Sequence, residues 1–438
     1  MFETLRNAFK IKDIRNRIFF TFLMLVVIRI GSQLPLPGVN GDLFKQWFDS
    51  HAGEGFGFFD AITGGSFLQM SVFALNITPY ITSSIIMQLL TIAIPKLSEI
   101  QKDGEEGRKK IAAATRYVTV GLALIESFAI AIGFGRSGYL TQYNALTVTT
   151  VIVALTAGSA ALMWIGERIT EKGIGNGISI VLVINIISRM PNDLASLWKQ
   201  FIVGKNVGNA TVAAIVILGV IIGTVVLVIL LQGGERRIPV QYSQKIQGRK
   251  QVGGQSTHIP LRVNTAGVIP VIFAQSIMTT PVVIAQMIGK SGGTGIGADI
   301  LAGLSQNNWC NPSKPMYSIG LLLYILMIVF FAYFYTSITF NPLEISNKMK
   351  KQGGFIPGIR PGKPTSEYMT KILNYIVFIG AIGLICVTVV PIIFNGVFKA
   401  SVSFGGTSII IVVGVVIETI KQVESHMLVR NYKGFLND

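Results

Sequence analysis

The sequence predicts an all-α integral membrane protein of ten transmembrane helices in two inverted five-helix halves, 1–190 and 191–438. Three observations carry that prediction. Half of the 438 residues are hydrophobic and only 13% are charged, with a mean hydropathy of +0.58, so a soluble globule would lack polar surface. Ten apolar stretches of spanning length follow one another at roughly 18–34, 65–94, 117–134, 146–166, 174–190, 210–231, 266–289, 317–338, 371–394 and 405–424. The basic residues are placed unevenly between them. The N-terminal segment, the tail and the connections 95–116, 166–177, 232–264 and 338–372 hold 28 Lys and Arg, the intervening connections 8, and Arg29 lies within the first span. That bias predicts cytoplasmic termini and a cytoplasmic side for those connections. Five spans per half give the halves opposite orientation, the arithmetic of an inverted repeat.

A formal net charge of +16 could point to nucleic acid. The Lys and Arg residues sit between apolar runs rather than in a basic domain, so they read as topology signal, with no specific DNA binding. Cys310 and Cys386 stand far apart and His51, His258 and His426 are scattered, which leaves no disulfide framework or metal spacing. Charges run up to Arg17 and a span follows without a small-residue cleavage pattern, so the N-terminus reads as retained.

Taken in order, the second span is the most informative. Gly64 and Gly65 follow a Phe-rich piece, and Asn76 and Pro79 interrupt the apolar run that comes next. In lipid, freed backbone groups are tolerated only where protein or a wet cavity satisfies them. Two readings fit: a kinked helix in a packed bundle, or a short half-helix dipping into a central cavity before a full span. The third span carries Glu126, an acid at membrane depth that cannot easily reach the interface and should face a polar path. Glu418 lies near the cytoplasmic end of the tenth span. The glycines of ITEKGIGNGISIV, from Ile169, resemble a nucleotide loop only weakly, since no strand precedes them. They read better as a close-packed start to the fifth span.

Two cytoplasmic connections are longer and more basic than anchoring requires. In 232–264, the alternation of RIPVQYSQ suggests a short strand; in 338–372, GFIPGIRPGKP presents Arg360 from a turn-rich loop. Loops of that length in compact proteins are usually functional, and these read as docking surfaces for a large partner. The seventh span enters through Asn264 and is broken by Pro270, so the second and seventh spans, each second in its half, are both interrupted. In inverted-repeat proteins such a pair points to the site at the repeat interface. Gly292–Gly297 reads as a loose external loop. No HExxH, no Gly-x-Ser-x-Gly elbow and no intramembrane aspartate pair is present, so neither an enzyme nor a cofactor is expected.

RIGSQLPLPGV from Arg29, NITPYITSSIIMQLL from Asn76, GIGNGISI, GGERRIPVQY, GGQSTHIPLRVNTAGVIPVIFA, PGIRPG and FGGTSIIIVVGV from Phe404 stand in this order along essentially the whole chain. Together they resemble the SecY family, the central channel subunits of bacterial protein-translocation complexes. The resemblance implies a central pore between the halves. It implies a plug at 56–69, containing Phe58, Phe59, Ile62, Gly64, Gly65 and Phe67, and a pore ring of Ile77, Ile81, Ile178, Leu182, Ile272 and Ile411. Spans 2, 3, 7 and 8 would form a lateral gate that includes Glu126 and Asn264, through which signal-sequence-bearing polypeptides reach membrane lipid. Arg360 would serve the motor ATPase SecA. The basic surface of Arg236, Arg237, Arg249 and Lys250 would contact the ribosome and SecA, with SecE clamping the halves and SecG at the periphery, all in a bacterial plasma membrane. Two positions depart from the family pattern: Glu126 stands where an uncharged amide is expected, and Leu182 where isoleucine is common.

The residues supply a mechanism for such a channel. A pore that accepts any polypeptide should offer no fixed charge at its narrowest point, and a ring of branched aliphatics also excludes water and ions by dewetting. Apolar segments leaving sideways gain about 0.8 kcal/mol per methylene buried in lipid. The alternative is a secondary transporter for a small solute, which also uses inverted repeats and broken helices. It accounts for the prolines but not for two long basic loops or the scarcity of midplane charges. An intramembrane protease has no nucleophile to rest on.

Overall fold

A computed structural model describes residues 9–51, 63–136, 138–203, 207–242, 245–247, 250–252, 256–287, 296–310, 315–398 and 406–434. The chain divides into two compact units. The first is Met1–Gly204, Val282–Ala298 and Ala400–Asp438; the second is Lys205–Pro281 and Asp299–Lys399.

In the first unit, helices α1 (Lys12–Gly31) and α2 (Gly41–His51) precede an irregular segment, 63–77. Helix α3 (Thr78–Ala93) follows, with Pro79 in its first turn, where the missing N–H costs nothing. The expected span from residue 65 therefore becomes regular helix only at Thr78. Ile94 is extended (φ −108°, ψ 111°), as a residue before proline prefers. It turns the chain through 107° into α4 (Pro95–Lys102).

Helix α5 (Gly104–Arg136) buries Thr115, Thr119, Ala123, Ser127 and Ala131, one small residue per turn. That stripe lets neighbours approach, and hydroxyls bridge the gaps. Ser83 Oγ of α3 lies 2.6 Å from Thr119 Oγ1, and Ser127 Oγ lies 3.1 Å from Thr156 Oγ1 of α6 (Ala145–Lys172). Helix α7 (Gly177–Phe201) starts at Asn176, whose side chain accepts from the backbone N–H groups of Ile178 and Ser179. Gly177 faces the Gly166 carbonyl so closely that a Cβ would collide with it, as the close-packed reading of these glycines expects. The unit is completed by α14 (Gly406–Gly434), which packs on α7.

The second unit contains α8 (Val207–Gly233), most of α9 (Ile269–Met287) and of α10 (Ile296–Leu304), α11 (Ile319–Thr339), α12 (Pro342–Lys351) and α13 (Lys363–Phe398). Its strands are β1 (Glu235–Tyr242), β2 (Lys245–Gln247), β3 (Lys250–Val252), β4 (Ser256–Arg262) and β5 (Gly354–Phe355). The strand expected in RIPVQYSQ is β1. It pairs antiparallel with β4, placing Ile238 opposite Ile259, and also with β5, placing Gln241 opposite Phe355. The sheet order β4-β1-β5 thus joins the two long connections, which the sequence presents as separate loops, into one body. Ile238, Val240, Leu261, Met349, Ile356, Met369 and Ile376 form its shared core.

Among the described residues seven helices are long and apolar enough to cross a membrane, and the bent pair α3 and α4 makes eight. Helices α1 and α9 lie where the first and seventh spans are expected. Each of the ten expected spans therefore contains a helix.

Candidate functional site

The break in the second span is built from side chains that the apolar pattern conceals. Four residues of 63–77 have positive φ: Gly64 (67°), Gly65 (85°), Met70 (47°) and Asn76 (53°). Turns of this kind free backbone groups that a helix would pair. Protein satisfies them here. Leu36 N–H donates to Met70 O at 2.8 Å and Val72 N–H to Leu34 O at 3.0 Å, so the segment runs beside the QLPLP stretch that follows α1.

At Asn76 the chain is fully enclosed. Its carbonyl accepts from Ser159 Oγ of α6 at 3.0 Å, and its side-chain oxygen accepts from Asn185 Nδ2 of α7 at 3.1 Å. Asn76 and Asn185 are both buried. Asparagine tolerates the left-handed region better than other side-chain-bearing residues, which fits its use at this φ. Over 63–77 the plain kinked helix gives way to a run of turns sealed by neighbouring helices; the Phe-rich piece in which the half-helix would lie falls outside the described residues.

Gly64 is seated between α1 and α7. Its carbonyl accepts from Arg29 Nη1 at 3.4 Å and from Ser188 Oγ at 3.5 Å. A Cβ at Gly64 would stand 2.7 Å from the Asn185 carbonyl oxygen, whereas one at Gly65 would meet nothing within 4 Å. Phe67 packs edge-on against Phe44, their centroids 5.6 Å apart, and Phe44 also touches Phe134 and Tyr139. Of the residues assigned to the plug, Gly64, Gly65 and Phe67 are placed in this way. Phe58, Phe59 and Ile62 lie outside the described residues.

Five of the six ring candidates belong to the first unit. Ile77 caps α3 and is fully buried; Ile81, whose N–H donates to the Ile77 carbonyl, lies one turn along the same face. Ile178 and Leu182 are likewise one turn apart at the start of α7, with Ile178 against Gly166. Ile411 is buried in α14. Ile272 is carried by the second unit, at the start of α9.

Glu126 is half-buried in α5, next to the buried Ser127. In the second unit Asn264 is buried, and its Nδ2 has no hydrogen-bond partner among the described residues. Gly380 of α13 lies close to the backbone of Val263 and Asn264.

The basic residues of the sheet are exposed. Arg236 and Arg237 open β1, and Arg237 pairs with Glu235 at 2.6 Å. Arg360 stands exposed in the loop between β5 and α13. Arg249 lies outside the described residues, and Lys250 begins β3.

Asn185, Ser159, Ser188 and Arg29 were not among the candidate site residues. A signal for Asn185 exists: it is a lone amide in the apolar run VLVINII, as Asn76 is in its own run.

A family model described as SecY matches residues 71–420. The chain is 42% identical over 453 residues to a protein translocase subunit SecY of Streptomyces galbus, and 41% identical over 453 residues to that of Bacillus subtilis (strain 168). All of this chain and all of each relative are covered. A solved structure of a protein-conducting channel covers 94% of this chain and 92% of its own, with a TM-score of 0.61 at 20% identity. Sec61 in the canine ribosome-channel complex covers the same shares, with a TM-score of 0.58 at 19% identity. These two likenesses speak to the fold.

Proposed function

The chain belongs to the SecY family, and from that premise we propose that it is a protein-conducting channel. It translocates unfolded polypeptides across the plasma membrane and releases membrane segments sideways into lipid. The observation that carries this reading is identity of about two residues in five to translocase subunits along the full length of both chains. The solute-transporter alternative finds no support among these relatives.

The geometry suits the task. Because the turns of 63–77 are hydrogen-bonded to protein, the backbone just before Ile77 needs no water to satisfy it. An apolar ring of Ile77, Ile81, Ile178, Leu182, Ile272 and Ile411 then resists ions while offering a passing chain nothing to bind. The turn segment up to Gln69 belongs to the plug that caps this ring. Glu126 and Asn264 line the lateral gate, where a polar side chain raises the hydrophobicity a signal must bring to open it.

The joined sheet faces the cytoplasm with both termini, and 1–190 and 191–438 are the inverted halves. Exposed Arg236, Arg237 and Arg360, with Arg249 and Lys250, form the surface for the ribosome and the SecA motor. SecE and SecG complete the complex.

The test is reconstitution with SecE and SecG in proteoliposomes. Protease protection of a signal-bearing protein, dependent on SecA and ATP, is the expected result. Failure to protect it, together with ion-driven uptake of a small solute, would overturn the reading.

A further inference from the structure

Arg360 is exposed, yet the backbone that carries it is fixed from several directions. Phe355 and Gly354 pair with β1, Ile356 is buried in the sheet core, and Ile359 N–H donates to the Ile356 carbonyl at 3.0 Å. Gly358 (φ 81°) and Gly362 (φ 107°) supply the left-handed turns on either side.

Two buried hydroxyls close the loop. Thr365 Oγ1 donates to the Arg360 carbonyl at 2.8 Å, and Ser346 Oγ, from the middle of α12, donates to the Gly362 carbonyl at 2.7 Å. Thr365 is 2% exposed and Ser346 1%. Most helical hydroxyls among the described residues instead bond the carbonyl four residues back, as Thr336, Thr370 and Thr388 do. Ser346 reaches 16 residues along the sequence to the Gly362 carbonyl, which also accepts from Ser366 N–H at 3.1 Å, and so adds a tie from α12 to a loop held otherwise by its own strand, core and helix. A hydroxyl diverted in this way fixes the backbone on which a charge stands.

We propose that Ser346 and Thr365 are positioning residues for Arg360, holding its loop in one conformation so that the guanidinium is presented ready-made to a carboxylate-bearing protein surface. The inference deepens the docking role proposed for Arg360 and rests on it. A preformed loop spares the partner the cost of ordering it. Without the hydroxyls, only a fraction of channels present the competent loop, and the apparent affinity falls by that fraction. Association slows, whereas the complex, once formed, keeps its contacts and dissociates as before.

The test measures binding of purified SecA to proteoliposomes holding the full channel complex, with association and dissociation rates followed at several salt concentrations. Thr365→Ala and Ser346→Ala should each slow association about fivefold, the scale of one net hydrogen bond. Dissociation should stay unchanged and the salt dependence should match the parent, since no charge is lost. Thr365→Ser keeps the donor and should restore the parental rate, which separates a positioning role from general loss of folding. Arg360→Ala should weaken binding and flatten its salt dependence. Parental association by both alanine variants, with Arg360→Ala weakened, would overturn the positioning role alone. Parental binding by Arg360→Ala would overturn the docking reading and this inference with it.

Discussion

Asn185 Nδ2 donates to Asn76 Oδ1 at 3.1 Å inside the first unit, joining the start of the second span to the middle of the fifth. The bond is buried, so removing Asn185 strips Asn76 of an amide partner at a place where water does not replace it. Replacing Asn185 by leucine should therefore cost about 1–3 kcal/mol. Thermal unfolding of the purified complex in detergent measures it. A midpoint equal to the parent's would mean that the amide pair is dispensable.

The two adjacent glycines should respond differently to the same substitution. Both have positive φ, so alanine brings strain of about 1–2 kcal/mol at either position. At Gly64 the added methyl also collides with the Asn185 backbone and with Ser188 Oγ, whereas at Gly65 it enters open space. Gly64→Ala should destabilise more than Gly65→Ala, as read by thermal melting or by limited proteolysis at 63–77. Equal loss would remove the seat against α7 as a constraint.

The apolar helices and the interruption before α3 were legible because Lys, Arg, Asn, Pro and Gly punctuate the apolar pattern; Pro270, read as breaking the seventh span, instead stands in the first turn of α9, where its missing N–H costs nothing. What satisfied the breaks was less visible, since Asn76 finds Ser159 and Asn185 83 and 109 residues along the chain. The joining of the two basic connections was hidden for the same reason. Strand β5 has two residues, and no local alternation announces its pairing with β1. Helix α12 was readable: Asn341 followed by Pro342 is an N-cap and first-turn pair, and the Asn341 side chain accepts from Leu343 and Glu344 N–H. The flanking glycines and prolines drew the reading toward turns instead. Residues 292–295 of the expected loose loop lie outside the described residues, but the connection before α11 carries a packed anchor the sequence did not announce. Trp309 is fully buried, and its Nε1 donates to the Gly303 carbonyl at 2.7 Å.

The charge bias of 28 against 8 predicts the orientation proposed above. Single cysteines placed at Arg249 or Arg360, in a chain whose Cys310 and Cys386 have been replaced, should be shielded from an impermeant thiol reagent added to intact cells. Labelling at the Arg360 position in such cells would place the joined sheet outside and reverse the assignment.

The last expectation concerns the seal. Ile77, Leu182 and Ile411 are buried, and Ile81 and Ile178 half-buried, all without a charge. If they meet Ile272 around one constriction, the closed channel is dry because no side chain there can hold water. Changing several of these residues to Asn supplies donors and acceptors, so the constriction should wet and pass ions. The same change favours the open state, because the closed state loses apolar packing worth about 25 cal/mol per Å² while the open state, already wet, loses little. Signals of low hydrophobicity should then suffice to open the gate. A plug deletion should behave differently, removing one layer of the seal while leaving the ring selective for signals. Single-channel conductance of the resting complex in planar bilayers, compared among the parent, the plug deletion and the multiple ring-to-Asn variant, separates the two. A ring variant as ion-tight as the parent, and as demanding of its signals, would make these six residues ordinary core and put the pore elsewhere.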